Sequence, residues 1–248
     1  MRRRRVIGPT ARTCRCHAHS SLPRQSRRMT DTAVLFSGGR DSTLLAYRLY
    51  CRGNYLHLLS ASSGLGHGDA LRELRVTELR ALWGADAFRY VTIPTSGLVR
   101  HICFRDLVAD IQLDGRQLLL LGEALALVTV GIRYCLLRDV ANLAFGATRY
   151  EAHFAEQTPT AINAFGALCA EYGIAFEAPL TEIASESIVK EELFLAGISP
   201  KSLESSTLLA DLDDSPPEDI VAGYLSRKIP WVRKYLSDIL TAKGGGPA

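Results

Sequence analysis

Residues 33–51, AVLFSGGRDSTLLAYRLYC, decide the fold of this chain. A short apolar run ends at Phe36 and is followed at once by Ser37-Gly38-Gly39-Arg40-Asp41-Ser42, which opens a segment of helical periodicity. A glycine loop between a strand and a helix presents unpaired backbone amides to an anion, and the positive end of the helix dipole favours phosphate. The two glycines permit close approach, and the two serines add hydroxyl donors. The segment therefore predicts a phosphate-binding loop.

This loop differs from the two commonest nucleotide-binding loops. It lacks the lysine and the spacing of G-x-x-x-x-G-K-[ST], and it does not match the dinucleotide pattern G-x-G-x-x-G. Asp41 can cap the following helix and can also face a Mg²⁺ ion bound to phosphate. An ordinary strand-to-helix turn is the alternative interpretation. We favour the phosphate loop because glycines and serines flank one acid at the start of a helix.

Outward from the loop, short apolar runs alternate with longer segments of helical periodicity. This alternation predicts an α/β fold with a doubly wound, mostly parallel five-stranded sheet and helices on both faces, which binds ligands at the carboxyl ends of its strands. The predicted strands are 33–36, 56–60, 88–93, 142–145 and 174–177, and the predicted helices are 41–51, 69–82, 117–137 and 160–171. The stretch before Asp114 is predicted to be irregular.

The chain divides into three predicted parts. Residues 1–28 hold nine arginines and no acid, and we expect them to be disordered. They are interpreted as a transit peptide or basic arm, or, as we favour, as sequence upstream of a start at Met29. Residues 29–183 are predicted to form the nucleotide-binding domain. Residues 184–248 are predicted to form a small helical appendage with a helix to Leu195 and two terminal helices, 218–226 and 231–242.

Charge and composition exclude several classes of protein. From Met29 onward 20 basic residues face 26 acidic ones, so charge does not indicate nucleic-acid binding. The most apolar stretch, 118–130, carries Glu123, and we predict no membrane span. Six scattered cysteines suggest no disulfide framework, which favours a cytoplasmic protein. The Cys14-x-Cys16-His17-x-His19 spacing is too tight for a structural zinc site, and no protein-held metal site is predicted.

The loop Ser37-Gly38-Gly39-Arg40-Asp41-Ser42 resembles the S-G-G-x-D-S loop of the PP-loop ATP pyrophosphatases. That resemblance implies the adenine nucleotide α-hydrolase-like fold, with ATP and Mg²⁺ as cofactors. It also implies cleavage between the α and β phosphates, so that the substrate becomes linked to AMP and pyrophosphate is released.

Three further segments are similar to 7-cyano-7-deazaguanine synthase, which makes the queuosine precursor. They are Gly115-Arg116-Gln117, Gly146-Ala147-Thr148 with the acidic turn after it, and Pro179-Leu180 with Ile188-Val189-Lys190. The resemblance implies a ligase that adenylates a carboxylate, forms an amide with ammonia and then activates that amide. The family's zinc cysteine cluster is missing, since no Cys follows Cys169, and Ser185 and Thr148 replace a family Lys and Asn. We therefore expect a changed substrate.

The predicted site residues follow from the loop and the resemblance. Asp41, Ser42 and Arg116 are predicted to be catalytic. Nucleotide contacts are predicted from the whole loop 37–42, from Leu59 and Ser60 at the end of the second strand, and from Gly146. Weaker candidates are Glu151 and Glu156, which could hold Mg²⁺ or orient an amine, and His67, which could cover the nucleotide.

Three functions compete at this stage. The first is an ATP-dependent ligase for a small-molecule carboxylate or amide, with ammonia or another nucleophile as partner. The second is a PP-loop sulfur transferase, for which Cys103 and Cys169 are the candidate sulfur carriers. The third is a nucleotide-binding protein without turnover. Neither nucleic acid nor membrane is an expected partner, and a homodimer is left open.

Overall fold

A computed structural model describes residues 30–64, 66–67, 69–203, 206–207 and 215–244 of the chain. The predicted leader, 1–28, lies outside the described residues, and so does most of the serine- and aspartate-rich linker before α8. Everything below concerns the described part.

Five parallel strands form the main sheet in the order β4-β2-β1-β5-β6. This confirms the α/β, doubly wound fold. Two further strands, β3 and β7, form a separate antiparallel pair of two residues each. The strands are β1 (Asp31–Leu35), β2 (Tyr55–Ser62), β3 (Gly66–His67), β4 (Phe88–Pro94), β5 (Asn142–Ala144), β6 (Ala175–Glu177) and β7 (Ser206–Thr207).

Eight α-helices connect and cover the strands. They are α1 (Arg40–Cys51), α2 (Asp69–Trp83), α3 (Ser96–Val99), α4 (Leu107–Asp114), α5 (Leu119–Arg138), α6 (Pro159–Glu171), α7 (Glu186–Leu195) and α8 (Glu218–Gly244), with a π-helical turn at Arg100–Phe104 and 3₁₀ turns at Arg149–Glu151 and Ala155–Gln157. The prediction of an irregular stretch before Asp114 was wrong. That stretch is helical because Leu98, Val99 and Ile102 are buried in the same core cluster as α5, and this packing outweighs a weak local pattern.

Side-chain alternation along β1 separates two hydrophobic layers. Ala33 and Leu35 belong to the layer that holds α5, α6 and α8, whereas Val34 and Phe36 belong to the layer that holds α1, α2 and α7. Successive strand residues point to opposite faces, so a strand with apolar residues at every position must be covered on both sides. The apolar run that opens the decisive segment is thus a central strand.

The C-terminal region contains one continuous helix where two were predicted. Pro230 lies inside α8 and supplies no amide, which explains why the sequence suggests a break there. The helix continues because both halves bury residues in the same core layer, Val221 and Leu225 before the proline and Val232 and Leu236 after it. Pro230 itself is exposed. Burial in a common core layer keeps the two halves in one continuous helix.

Within the described residues, α5 is the helix that is long and apolar enough to cross a membrane. However, 72% of its most apolar window is buried inside the protein. Its side chains pack against β1, β5 and the helices of the first layer, with Leu121, Leu125 and Val128 fully buried. Its apolar character is therefore accounted for by a position in the protein core.

Gly122 of α5 tests this packing. A Cβ at that position would lie 2.5 Å from the Cys103 sulfur and 2.6 Å from the Tyr224 hydroxyl oxygen, both buried. We predict that Gly122→Ala lowers the free energy of unfolding by about 1–3 kcal/mol in urea denaturation because the core must shift. Gly166→Ala in α6 is the control, since its Cβ would meet Phe176 at an ordinary 3.5 Å. It should be neutral or stabilise by up to about 1 kcal/mol through helix propensity, and equal losses in both variants would contradict the packing.

Candidate functional site

A cavity of about 260 Å³ lies where the carboxyl ends of the central strands meet. The chain runs outward from β1 to β2 and β4 on one side and to β5 and β6 on the other, so the crevice lies at the switch point of the sheet, where such folds bind ligands. The residues that line it are Leu35, Phe36, Ser37, Gly39, Asp41, Ser42, Ala61, Ser63, Gly64, Arg72, Thr95, Val99, Leu120, Glu123, Ala124, Leu127, Phe145, Gly146, Glu151, Glu156 and Gln157.

The predicted phosphate loop forms one wall of this cavity. Gly38 has φ +82°, a conformation that favours glycine, and a Cβ there would lie 2.9 Å from Cγ of Arg72 and 3.0 Å from the Leu203 carbonyl oxygen. The helix α1 begins at Arg40, directly after the loop. The first amides of a helix have no acceptor within the helix, so this end of α1 offers donors and a positive dipole to the cavity.

Two serines brace the loop from inside. The hydroxyls of Ser37 and Ser42 are 3.1 Å apart, and the Ser42 hydroxyl accepts a 3.3 Å bond from the Ser37 amide. The Ser37 hydroxyl in turn accepts a 3.2 Å bond from the Gly39 amide. Two loop amides thus already have acceptors, but these are long bonds to rotatable hydroxyls. An entering anion would compete with hydroxyls for these amides, not with fixed carbonyl groups.

Gly146, predicted from sequence as a nucleotide contact, lies against the start of α1. It follows β5, and a Cβ on it would lie 3.1 Å from the Ser42 amide nitrogen and 3.2 Å from the Ser42 Cα. Both atoms belong to the backbone and cannot rotate away. Gly146 therefore allows the β5 end to approach the loop closely, and it lines the same cavity.

The Asp41 side chain has a partner that sequence reasoning missed. The hydroxyl of Tyr150, 109 positions further along the chain, lies 2.7 Å and 2.8 Å from the two carboxylate oxygens of Asp41. Burial raises the pKa of Tyr150, and the hydrogen bond to Asp41 raises it further. The phenol is therefore the donor and the carboxylate the acceptor. Nothing in the local sequence around Tyr150 marks this contact.

Arg72 is the second residue that sequence reasoning missed. It comes from α2, is 6% exposed and donates to the Ala61 carbonyl at the end of β2. Among the residues that line the cavity it carries the single full positive charge. Arg40, by contrast, is in the loop sequence, but its guanidinium pairs with Glu186 of α7. The cation that faces the cavity beside the loop is thus Arg72.

Three glutamates line the opposite part of the cavity. Glu123 lies on the otherwise apolar face of α5, and burial raises its pKa. Glu151 is oriented by Gln157, whose amide nitrogen donates to it at 2.6 Å, and Glu156 lies in the same turn region. The signal for Glu123 was a lone charge in the apolar run 118–130. Together with Asp41 of the glycine loop, these side chains give the cavity lining four acidic groups against one basic group, Arg72.

Five of the predicted site residues are not among those that line the cavity: Gly38, Arg40, Leu59, Ser60 and Arg116. The strand β2 extends two residues beyond its predicted end, so Ala61, Ser63 and Gly64 line the cavity. Leu59 and Ser60 are buried in the sheet instead, where the Leu59 carbonyl accepts from the Phe36 amide and the Ser60 hydroxyl donates to the Phe36 carbonyl. Arg116 lies half-buried between α4 and α5 and is not among the residues that line the cavity. Its catalytic role stays a prediction.

The cysteines of the described part lie away from the cavity lining. Cys103, Cys135 and Cys169 are buried, and burial raises the pKa of each thiol to about 12. Cys51 is exposed but ends α1, roughly 16 Å along the helix from the loop. In the ranges that the structure describes, no group of three or more His, Cys, Asp or Glu side chains could hold a metal ion.

Comparison with known proteins identifies a solved structure that shares the fold of this chain. No protein-family model and no curated protein matches the chain. A solved structure of a 4-thiouridine synthetase–RNA complex with bound ATP matches with a TM-score of 0.61 and 14% identity over 86% of this chain and 53% of that one. The chain thus spans about half the length of that neighbour. A predicted subunit of tRNA methyltransferase from Methanocaldococcus jannaschii matches at 18% identity over 75% of this chain and all of that one, but its TM-score of 0.45 is too low to support an argument.

Gly146 provides a direct test of the loop geometry. We predict that Gly146→Ala weakens magnesium-ATP binding about 10-fold or more in calorimetry, because the new methyl group would push against the backbone of Asp41 and Ser42. Gly97→Ala is the control, since a Cβ at Gly97 meets no atom within 4 Å. Unchanged nucleotide affinity in a folded Gly146→Ala variant would show that the close approach does not shape a binding site.

Proposed function

We propose that this chain is an ATP-dependent enzyme that cleaves ATP between its α and β phosphates and activates its substrate by adenylation. The observation that carries the proposal is the glycine loop at the switch point of the sheet, where Gly38 and Gly146 leave space that a Cβ would fill. The fold shared with a protein that binds ATP supports the same reading. Bound ATP would supply the electrophilic phosphorus, and the chain's residues would hold and orient it.

The residues present fit a magnesium-bound nucleotide. The amides of the loop and the start of α1 can bind phosphate oxygens, and Arg72 can add a charge-assisted hydrogen bond from the far side of Gly38. The carboxylate of Asp41 is a suitable oxygen ligand for Mg²⁺. The ends of β2 and β4, with Ala61, Ser63 and Thr95, leave room for the nucleoside beside the loop.

The acidic residues of the cavity lining influence which chemical group of the substrate can be activated. A substrate carboxylate would enter beside Glu151 and Glu156, and two like charges 4 Å apart repel by about 4 kcal/mol at the effective dielectric constant of a protein surface. A neutral amide, whose N–H groups can donate to a glutamate, would meet no such repulsion. We therefore favour activation of an amide over activation of a carboxylate, followed by attack of ammonia or another nitrogen nucleophile.

Sulfur transfer is the second candidate, and it is favoured by the matched neighbour, a 4-thiouridine synthetase solved with RNA. This function would make an RNA base the sulfur acceptor. The charge balance of the chain does not indicate nucleic-acid binding, so this acceptor differs from the expectation from sequence. However, Cys103 and Cys169 are buried, and with thiol pKa values of about 12 they stay protonated at neutral pH. Sulfur transfer would then need sulfide from another donor.

The products of ATP decide between turnover and binding alone. The protein is incubated with magnesium-ATP, a panel of amides and carboxylates, and either ammonia or sulfide, and the products of ATP are identified by mass spectrometry. We predict that AMP and pyrophosphate form and that ADP does not. Asp41→Ala should reduce AMP formation by about 100-fold or more, whereas Asp86→Ala, in an exposed turn, should not change it. ADP as the product would refute adenylation, and tight ATP binding with no product from any member of the panel would favour the binding protein.

Cysteine substitution separates the two chemistries. We predict that the double variant Cys103→Ala, Cys169→Ala keeps the full rate of AMP formation, because neither thiol lines the cavity. Cys135→Ala, another buried thiol with the same raised pKa, is the matched control for loss of packing. Loss of activity in the double variant alone, with sulfide restoring it, would instead identify a sulfur carrier.

Arg72 tests how the nucleotide is held. We predict that Arg72→Gln weakens magnesium-ATP binding about 10- to 100-fold, since a hydrogen bond from a charged group contributes about 1.5–3 kcal/mol. Arg80→Gln, on the exposed side of the same helix, should bind ATP like the wild type. Equal affinities for all three proteins, each checked for an unchanged melting temperature, would remove Arg72 from the site.

A further inference from the structure

Asp41 occupies a position where its orientation matters. It is the second residue of α1, so its carboxylate starts beside the same helix amides that the proposed function gives to the nucleotide phosphates. A carboxylate that turns into the cavity offers oxygen ligands to a divalent cation, and one in another rotamer does not. Some group must therefore fix the rotamer of Asp41.

Tyr150 is built to do this. Its backbone is anchored, because the amides of Arg149 and Tyr150 both donate to the carbonyl of Ile183, at 3.0 Å and 3.3 Å. Ile183 is 3% exposed, and the Tyr150 ring packs against the same core layer. The hydroxyl thus projects from a rigid support to Asp41, where it lies almost equally far from the two oxygens.

In the hydrogen bond between Tyr150 and Asp41, the phenol is the donor and the carboxylate is the acceptor. A phenol has one hydrogen to donate, and here it is shared between the two oxygens, at 2.7 Å and 2.8 Å. Each carboxylate oxygen can accept more than one hydrogen bond or ligand, so the shared bond by itself does not prevent a cation from binding.

We propose that Tyr150 is a positioning residue that orients the Asp41 carboxylate toward the divalent cation of a bound magnesium nucleotide. The proposal rests on the proposed function, since it presupposes a nucleotide in the cavity. It extends that function by a residue outside the loop, on the turn that follows β5. Tyr150 acts through Asp41 and not by touching the nucleotide.

The test is a calorimetric comparison of ATP binding with Mg²⁺ and with EDTA. We predict that Tyr150→Phe weakens magnesium-ATP binding about 5- to 20-fold and changes binding of metal-free ATP less than about twofold. Asp41→Asn should cause the same selective loss. The double variant should then be no weaker than Asp41→Asn, because Tyr150 has nothing left to orient. Tyr134→Phe, which removes a buried hydroxyl that bonds His57 at 2.8 Å, is the control and should bind like the wild type.

Each outcome is decisive. Equal binding by Tyr150→Phe and wild type, an equal loss with and without Mg²⁺, or additive losses in the double variant would overturn the positioning role. The ratio of the two affinities remains informative in a variant of reduced stability, since a general loss of structure affects both conditions. If the wild type binds no magnesium-ATP, the proposed function itself fails, and that result is distinct from a failure of Tyr150 alone.

Discussion

The structure depends on the close approach of two backbone segments at the switch point of the sheet. The end of β5 reaches the first turn of α1 at Gly146, where a Cβ would lie only 3.1 Å from the Ser42 amide nitrogen. On the other side of the loop, a Cβ at Gly38 would lie too close to Arg72 and to the Leu203 carbonyl oxygen. The loop is therefore held between three neighbouring segments. Such a fixed loop can keep its amides oriented before a ligand arrives, which lowers the cost of ordering on binding.

The distribution of charge divides the cavity into two parts. One part has backbone amides, serine hydroxyls and Arg72, and it suits phosphate. The other has three glutamates on α5 and the turns after β5, beside the apolar wall of α5. Asp41 lies between them, held by Tyr150. In the proposed function, the first region would hold the nucleotide and the acidic region would lie beside the second substrate.

Local sequence signals predicted the glycine loop, because two glycines between a strand and a helix mark a place where side chains do not fit. Gly146 was predicted from the resemblance of Gly146-Ala147-Thr148 to a family segment. The end of β2 was placed two residues early, since no glycine or proline stands at Ala61 or Ser62 to mark it. This shift moved the predicted contacts from the cavity edge to Leu59 and Ser60.

Contacts between distant segments could not be predicted from one sequence. Arg72 and Tyr150 stand in ordinary helical and turn sequence, and their importance comes from the packing of α2 and the β5 turn around the loop. The continuous α8 is a similar case, because a proline gives a strong local signal that core burial on both sides overrides. Strand order, too, follows from the connections as a whole and not from any single segment.

The central claim is that the amides between β1 and α1 bind nucleotide phosphate, and it is tested most directly by NMR of protein labelled with ¹⁵N-glycine during titration with magnesium-ATP. The account predicts saturable shifts of the Gly38, Gly39 and Gly146 amide resonances, with Gly166 in α6 unmoved. Unchanged resonances for the loop glycines, while others shift or none do, would contradict it.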